Sequence, residues 1–187
     1  MKIILIHGNG GCVGDDIWKP WLKAKLEKLG HEVLSPTFPD NVEAKASIWL
    51  PYLRDELGAD EDTVLVGHSS GAIAAMRYAE DHRIKGSILV GDYYTDLGEA
   101  EEKVSGYFDE PWQWQKIREN QEFIVVMAST DDPWIPIEEP RHVVDQLKCE
   151  YHEYTDKGHF MPHEGRSDDW RTFPELLQII TNHCVDD

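Results

Sequence analysis

Three short stretches of this chain carry side chains able to do covalent chemistry, and their order along the sequence is informative. The first is Thr63 Val64 Leu65 Val66 Gly67 His68 Ser69 Ser70 Gly71 Ala72 Ile73 Ala74 Ala75 Met76. A β-branched apolar run ends at Gly67, and an alanine-rich run with strong helical preference begins just after the serine. A serine held on so sharp a strand-to-helix turn needs glycine on both sides, because a Cβ at Gly67 or Gly71 would collide with the neighbouring chain. Ser69 is therefore the candidate nucleophile.

A serine hydroxyl is a weak nucleophile until a base takes its proton, and the base must in turn be held in one tautomer by an acid. The second stretch, Ala128 Ser129 Thr130 Asp131 Asp132 Pro133 Trp134 Ile135 Pro136, follows the apolar run Phe123–Met127. Asp132 is the candidate acid, because Pro133 and Pro136 stiffen the turn presenting it, with Asp131 the neighbour to exclude and Asp92 the alternative. The third stretch is Gly158 His159 Phe160, after Glu150–Tyr154, and it makes His159 the candidate general base. His163 competes with it in sequence. His31, His82, His142 and His183 fall on helices or early loops, and His152 within a strand.

An acyl-transfer site also needs two donors for the developing oxyanion. One is expected from the N–H of Ser70, the other from Asn9 or Gly10 in the loop His7 Gly8 Asn9 Gly10 Gly11. That loop does not read as a phosphate cradle: Val13 stands where G-x-G-x-x-G would need glycine, and no Walker Lys-Ser/Thr pair follows. Trp112, Trp114, Trp134 and Phe160 are expected to line an apolar pocket, with core packing as the alternative for each. No H-E-x-x-H and no tight Cys/His spacing is present, so neither metal nor cofactor is expected.

The elements that must position these residues alternate. Strands are expected at Lys2–Ile6, Glu32–Ser35, Thr63–Gly67, Gly86–Val90, Phe123–Met127 and Glu150–Tyr154. Helices are expected at Ile17–Leu29, Ala44–Leu57, Ser70–Asp81, Glu139–Leu147 and Thr172–His183. The alternation implies an α/β fold with a mostly parallel sheet of about six strands and helices on both faces, which with the serine turn is the compact α/β hydrolase pattern. With 187 residues the expectation is a single domain over residues 1–187. The irregular stretch 92–120 either forms a small cap over the site or packs its tryptophans on the core.

Eighteen basic against 36 acidic residues give a net charge of −18, which argues against nucleic acid or an anionic membrane as partner. The excess reads as a solubility surface, or as an attractor for a cationic substrate such as an amino ester. Cys12, Cys149 and Cys184 are odd in number and scattered, which suits thiols in a reducing compartment. After Met1 and Lys2 only four apolar residues precede His7, too few for a signal-peptide core, and no run reaches the length of a membrane span. A cytoplasmic location, with the nucleus as a second compartment, is the expectation.

The stretches Gly67–Glu80, Ser105 Gly106 Tyr107 Phe108 through Pro111 Trp112 Gln113 Trp114, Ser129–Pro133 and Gly158 His159 Phe160 resemble the retinoblastoma-binding protein 9 and YdeN-type serine hydrolase family over nearly the whole chain. The resemblance implies an α/β hydrolase whose Ser-Asp-His triad falls on Ser69, Asp132 and His159. Vertebrate members also carry an L-x-C-x-E motif that binds retinoblastoma-type pocket proteins. Here the matching stretch is Leu57 Gly58 Ala59 Asp60 Glu61, and alanine in place of cysteine argues against that partnership. The expected activity is cofactor-independent cleavage of a small-molecule carboxylic ester or amide, aminoacyl ones included, through an acyl-enzyme. A non-catalytic protein-binding module on the same fold is the competing class.

Overall fold

A computed structural model of the chain describes residues 1–163 and 169–184; the remainder of the range 1–187 lies outside the described residues. Six strands form one parallel sheet: β1 (Lys2–Ile6), β2 (Glu32–Leu34), β3 (Thr63–His68), β4 (Gly86–Val90), β5 (Phe123–Ser129) and β6 (Glu150–Tyr154), in spatial order 2-1-3-4-5-6. The helices are α1 (Lys19–Lys28), α2 (Ala46–Pro51), α3 (Ser70–Asp81), α4 (Ala100–Val104), α5 (Trp114–Glu119), α6 (Glu138–Leu147) and α7 (Pro174–His183).

Alternation along each strand divides the core in two. Ile4, Ile6, Leu65, Leu89 and Val126 pack with α2, α3, α5 and α6, whereas Ile3, Leu5, Val64, Val66, Val90 and Met127 pack with α1 and α7. Both faces are thus covered, which is why β1, β3, β4 and β5 are near-continuous apolar runs. The edges differ. β2 has only three residues, and β6 exposes Glu150 and Glu153, charge that discourages further strand pairing.

The helix expected over Ala44–Leu57 divides. After α2 the chain widens into a π-helical turn at Tyr52–Glu56, closed by the Leu57 N–H to the Tyr52 carbonyl at 3.0 Å. Pro51 is the local cause, since it brings no N–H to the regular ladder. The stretch 92–120 holds the short helices α4 and α5, and its loop is anchored to α3 by a buried cluster. The Arg77 guanidinium donates to the carbonyls of Tyr107 (2.7 Å) and Glu110 (2.6 Å) and to Glu80 Oε1 (2.8 Å), and it stacks on Trp112 with its carbon 3.7 Å from the ring centroid. Glu80 in turn accepts the Gln113 N–H at 2.8 Å. Among the described residues no helix is long and apolar enough to cross a membrane.

Candidate active site

The candidate residues gather at the carboxyl ends of the central strands, where open α/β sheets form crevices. Ser69 follows β3 with φ 55° and ψ −124°, a region that a side-chain-bearing residue adopts only when its surroundings force it. The forcing groups are visible. A Cβ on Gly67 would lie 2.3 Å from the Gly71 carbonyl oxygen, and one on Gly71 would lie 2.5 Å from that of Ile6, so strand and helix approach backbone to backbone. The Ser69 N–H is held by the Val90 carbonyl at 2.9 Å.

Asp132 follows β5 and His159 follows β6. The Nδ1–H of His159 donates to Asp132 Oδ2 at 2.6 Å, while Asp132 Oδ1 accepts the N–H groups of Trp134 (2.9 Å) and Ile135 (3.0 Å). Both side chains are almost wholly withdrawn from solvent. With Nδ1 committed, Nε2 is the ring's basic nitrogen. Asp131 does a different job: its Oδ1 accepts the Gly158 N–H (2.8 Å) and the Ser129 hydroxyl (2.5 Å), tying the loop before His159 to the end of β5.

β6 lies three strand spacings, about 14 Å, from β3, so His159 must lean across the sheet to approach the serine. Its imidazole lies over Gly91 at the end of β4, where a Cβ would stand 3.0 Å from His159 Cε1. A side chain there would push the imidazole away. The alternative acid, Asp92, is fully buried with neither carboxylate oxygen hydrogen-bonded, and burial pushes its carboxyl up to about 8. His159 is engaged by Asp132.

Two histidines that sequence reasoning left unassigned brace the site. His68 Nε2–H donates to the His159 carbonyl at 2.8 Å, joining elbow and histidine loop directly, and burial holds its imidazole well below the usual range, in the neutral form. His7 accepts the Phe38 N–H on Nε2 (2.8 Å), so its Nδ1–H donates to the Gly8 carbonyl (2.7 Å). In a trans peptide the C=O and the following N–H point in opposite directions, so this bond also aims the Asn9 N–H. The available signal was position alone: each histidine adjoins a residue already singled out.

The oxyanion expectation divides. The Gly10 N–H is spent on the Val42 carbonyl at 3.0 Å, which removes Gly10 as a donor and leaves Asn9. Among the described residues no acceptor meets the Asn9 N–H or the Ser70 N–H, the latter an orphan donor of α3's first turn. A Cβ on Gly8 would stand 3.7 Å from Ser69 Oγ, so the loop lies directly beside the nucleophile.

The aromatic expectation is corrected in part. Phe160 is fully buried, stacked on Phe173 at 5.5 Å and edge-on to Trp170, because a positive φ of 55° turns it into the core on the side of α1 and α7. Trp112 and Trp114 stack on each other at 5.3 Å and pack against Arg77 and His142, which is support for the 92–120 segment. Trp134 alone borders the histidine: it is 52% exposed and lies 5.1 Å from His159, ring planes at 89°. His163 lies edge-on to that indole at 5.9 Å. His82 and His142 stack on Tyr78 and Tyr94, and His152 and His183 share Glu150. Among the described residues no group of His, Cys, Asp and Glu could hold a metal ion.

The family model described as serine hydrolase matches residues 3–179. The chain is 44% identical over 181 residues to serine hydrolase RBBP9 of Rattus norvegicus, covering 96% of this chain and 93% of the relative. It is 27% identical over 190 residues to YdeN of Bacillus subtilis, whose crystal structure superposes with a TM-score of 0.85 over 97% of both chains. A monoacylglycerol lipase from Paleococcus ferrophilus shares the fold at a TM-score of 0.66 and 16% identity, over 97% of this chain and 92% of the lipase. The strained serine elbow, the parallel sheet that carries it and the match along most of the chain agree: this protein belongs to the serine hydrolase family, on an α/β hydrolase fold.

Proposed function

We propose that the chain cleaves a carboxylic ester or amide of a small molecule through a covalent acyl-enzyme, with Ser69 as nucleophile, His159 as general base and acid, and Asp132 as its orienting acid. Ser69 Oγ attacks the carbonyl carbon as His159 Nε2 takes the hydroxyl proton. The C–O⁻ that forms is met by the N–H groups of Asn9 and Ser70, and each such donor is typically worth about 3 kcal/mol of barrier. His159 returns the proton to the leaving alkoxide or amine, the carbonyl re-forms, and water repeats the sequence to release the acid. Aminoacyl esters and amides fall within this class.

The observation that carries the reading is the 2.6 Å bond from His159 Nδ1–H to an Asp132 whose other oxygen is already held by two backbone N–H groups. That carboxylate has one free direction, and it fixes the tautomer a base needs. The test is labelling by a fluorophosphonate probe together with turnover of p-nitrophenyl acetate. Wild type is expected to label and turn over. Ser69→Ala should do neither while keeping its thermal midpoint, a loss of about 10⁴-fold or more in kcat. A folded wild type that neither labels nor hydrolyses overturns the proposal in favour of a protein-binding module.

The net charge of −18 supports a small-molecule partner over nucleic acid or an anionic membrane. For the stretch matching L-x-C-x-E, a packing role fits best. The Ala59 N–H bonds the Leu53 carbonyl (2.9 Å) and the Ala59 carbonyl accepts the Tyr78 hydroxyl (2.7 Å), so these groups are not free to pair with a pocket protein. Free thiols at Cys12 and Cys149 support a reducing compartment such as the cytoplasm.

A further inference from the structure

The two N–H donors of the proposed oxyanion hole belong to different parts of the chain, the loop after β1 and the first turn of α3. The Gly71 contact with β1 brings these elements together, and placement of the two donors within a few tenths of an ångström then decides what they are worth. A third element bridges the two. Glu102, on α4, accepts the Asn9 side-chain amide on Oε1 at 2.7 Å and the Tyr93 hydroxyl on Oε2 at 2.6 Å. Because the single proton of Tyr93 is given to Glu102, the 3.1 Å contact between Tyr93 and Ser70 has the Ser70 hydroxyl donating to the phenol oxygen.

One carboxylate therefore reaches both donor residues, one directly and one through a phenol. Tyr93 and Ser70 are buried, and burial next to Glu102 pushes the Tyr93 hydroxyl well above its usual range, so the proton directions hold throughout the working pH range. We propose that Glu102 is a positioning residue for the oxyanion hole, a brace from the 92–120 segment that sets the separation of the Asn9 and Ser70 N–H groups. The inference rests on the hydrolase reading above.

A brace through charge and a brace through geometry make opposite predictions for the isosteric amide. A carboxylate this close to a developing oxyanion raises its energy by Coulomb repulsion, so the negative charge itself does not help the chemistry. The connectivity does. Gln at this position keeps an acceptor for Asn9 and supplies an N–H to the Tyr93 oxygen, whose own proton then turns to Ser70 Oγ. Alanine keeps neither arm.

The test is steady-state hydrolysis of p-nitrophenyl acetate by wild type, Glu102→Ala, Glu102→Gln and Ser69→Ala, each checked for a cooperative thermal transition well above the assay temperature. Glu102→Ala is expected to lose about 10- to 100-fold in kcat with KM within about 2-fold, because donors misplaced by part of an ångström fail chiefly in the transition state. Glu102→Gln should recover most of that loss. Wild-type kcat in a folded Glu102→Ala overturns the proposal, and so does a Gln variant as impaired as the Ala one. Should Glu102→Ala not fold, Asn9→Ala and Tyr93→Phe each cut one arm and are expected to lose kcat rather than gain KM; unchanged kcat in both overturns it equally. Wild type inert towards the ester, or Ser69→Ala retaining turnover, would instead count against the hydrolase reading.

Discussion

Ser69 stands between two walls that are secured by different physics. On one side, the 92–120 segment is tied down by charge buried against α3: the Arg77–Glu80 pair, carbonyls of that segment on the guanidinium, and the Glu102 arms to Asn9 and Tyr93. On the other side, the loops after β5 and β6 are held by Asp131 and Asp132 taking backbone N–H groups, and they end in a half-exposed indole. The first wall turns the Arg77, Glu80 and Glu102 contacts inward and lays its tryptophans on the core. The second leaves an aromatic ring beside His159 in contact with water. On the proposed function, that difference predicts that the first wall aligns the site and the second meets the substrate.

The comparison breaks most visibly at Arg77. Removing its side chain would strand the Glu80 carboxylate, leave the carbonyls of Tyr107 and Glu110 without a donor and take the cation from the face of Trp112. Breaking a buried pair by deleting one partner typically costs about 3–5 kcal/mol, so Arg77→Ala should lower the urea midpoint by that equivalent and reduce esterase activity as Glu102 loses its platform. The exposed pair of Arg141 with Glu153 is equally well formed at 2.8 and 2.9 Å, yet Arg141→Ala should leave the midpoint where it is. Similar midpoints for the two variants would show that the first wall does not depend on its buried charge.

Asp92 lies where the first wall leaves the sheet, and it gives that wall a dependence on pH. Its carboxyl is pushed up to about 8 by burial, with Glu139 adding repulsion, against a value near 4 in the unfolded chain. The folded state therefore holds a proton that the unfolded state releases. This contribution is fully present below about pH 4 and is lost as pH rises through 8, at about 1.4 kcal/mol per unit. Between pH 5 and 7 that amounts to about 3 kcal/mol. Asp92→Asn removes the titration, so wild type should lose stability relative to the variant across that interval in paired urea melts. A constant difference between the two would place the proton elsewhere.

How much of this was legible in the sequence follows from the range of the interactions. The elbow is local: Gly67 and Gly71 announce a backbone contact that no Cβ could enter, and the structure puts those contacts at 2.3 and 2.5 Å. Strand order along the chain likewise led to Asp132 and His159, because sites of this topology lie past the carboxyl ends of strands. Failures came where the partner was distant. Gly10 and Asn9 are equivalent candidates in the sequence, and only Val42, 32 residues on, separates them by taking the Gly10 N–H. Phe160 adjoins His159 in sequence, but the left-handed turn at 160 sends its ring into the opposite layer. Glu102, 93 residues from Asn9, was one acidic residue among 36. His7 and His68 were next to residues under discussion, yet nothing local reveals that Phe38 and the His159 carbonyl complete their bonds. Pro51 is a helix breaker visible in the sequence, and the regular ladder gives way directly after it.

The second wall is sharpened by its smallest change. Trp134 presents its ring at right angles to His159 with half its surface in water, so its apolar face is open to whatever enters beside that histidine. If a substrate acyl or leaving group is what covers it, Trp134→Ala should raise KM about 5-fold, close to 1 kcal/mol, for p-nitrophenyl butyrate with kcat little changed. The effect should shrink for the acetate, which has less chain to lay on the ring. An indole that instead serves to hold His159 upright would give the reverse: a fall in kcat of similar size for both esters and no dependence on chain length. The ratio of the two KM changes therefore separates a wall that meets the substrate from one that aligns the base, and only the first outcome leaves the division between the two sides of Ser69 standing.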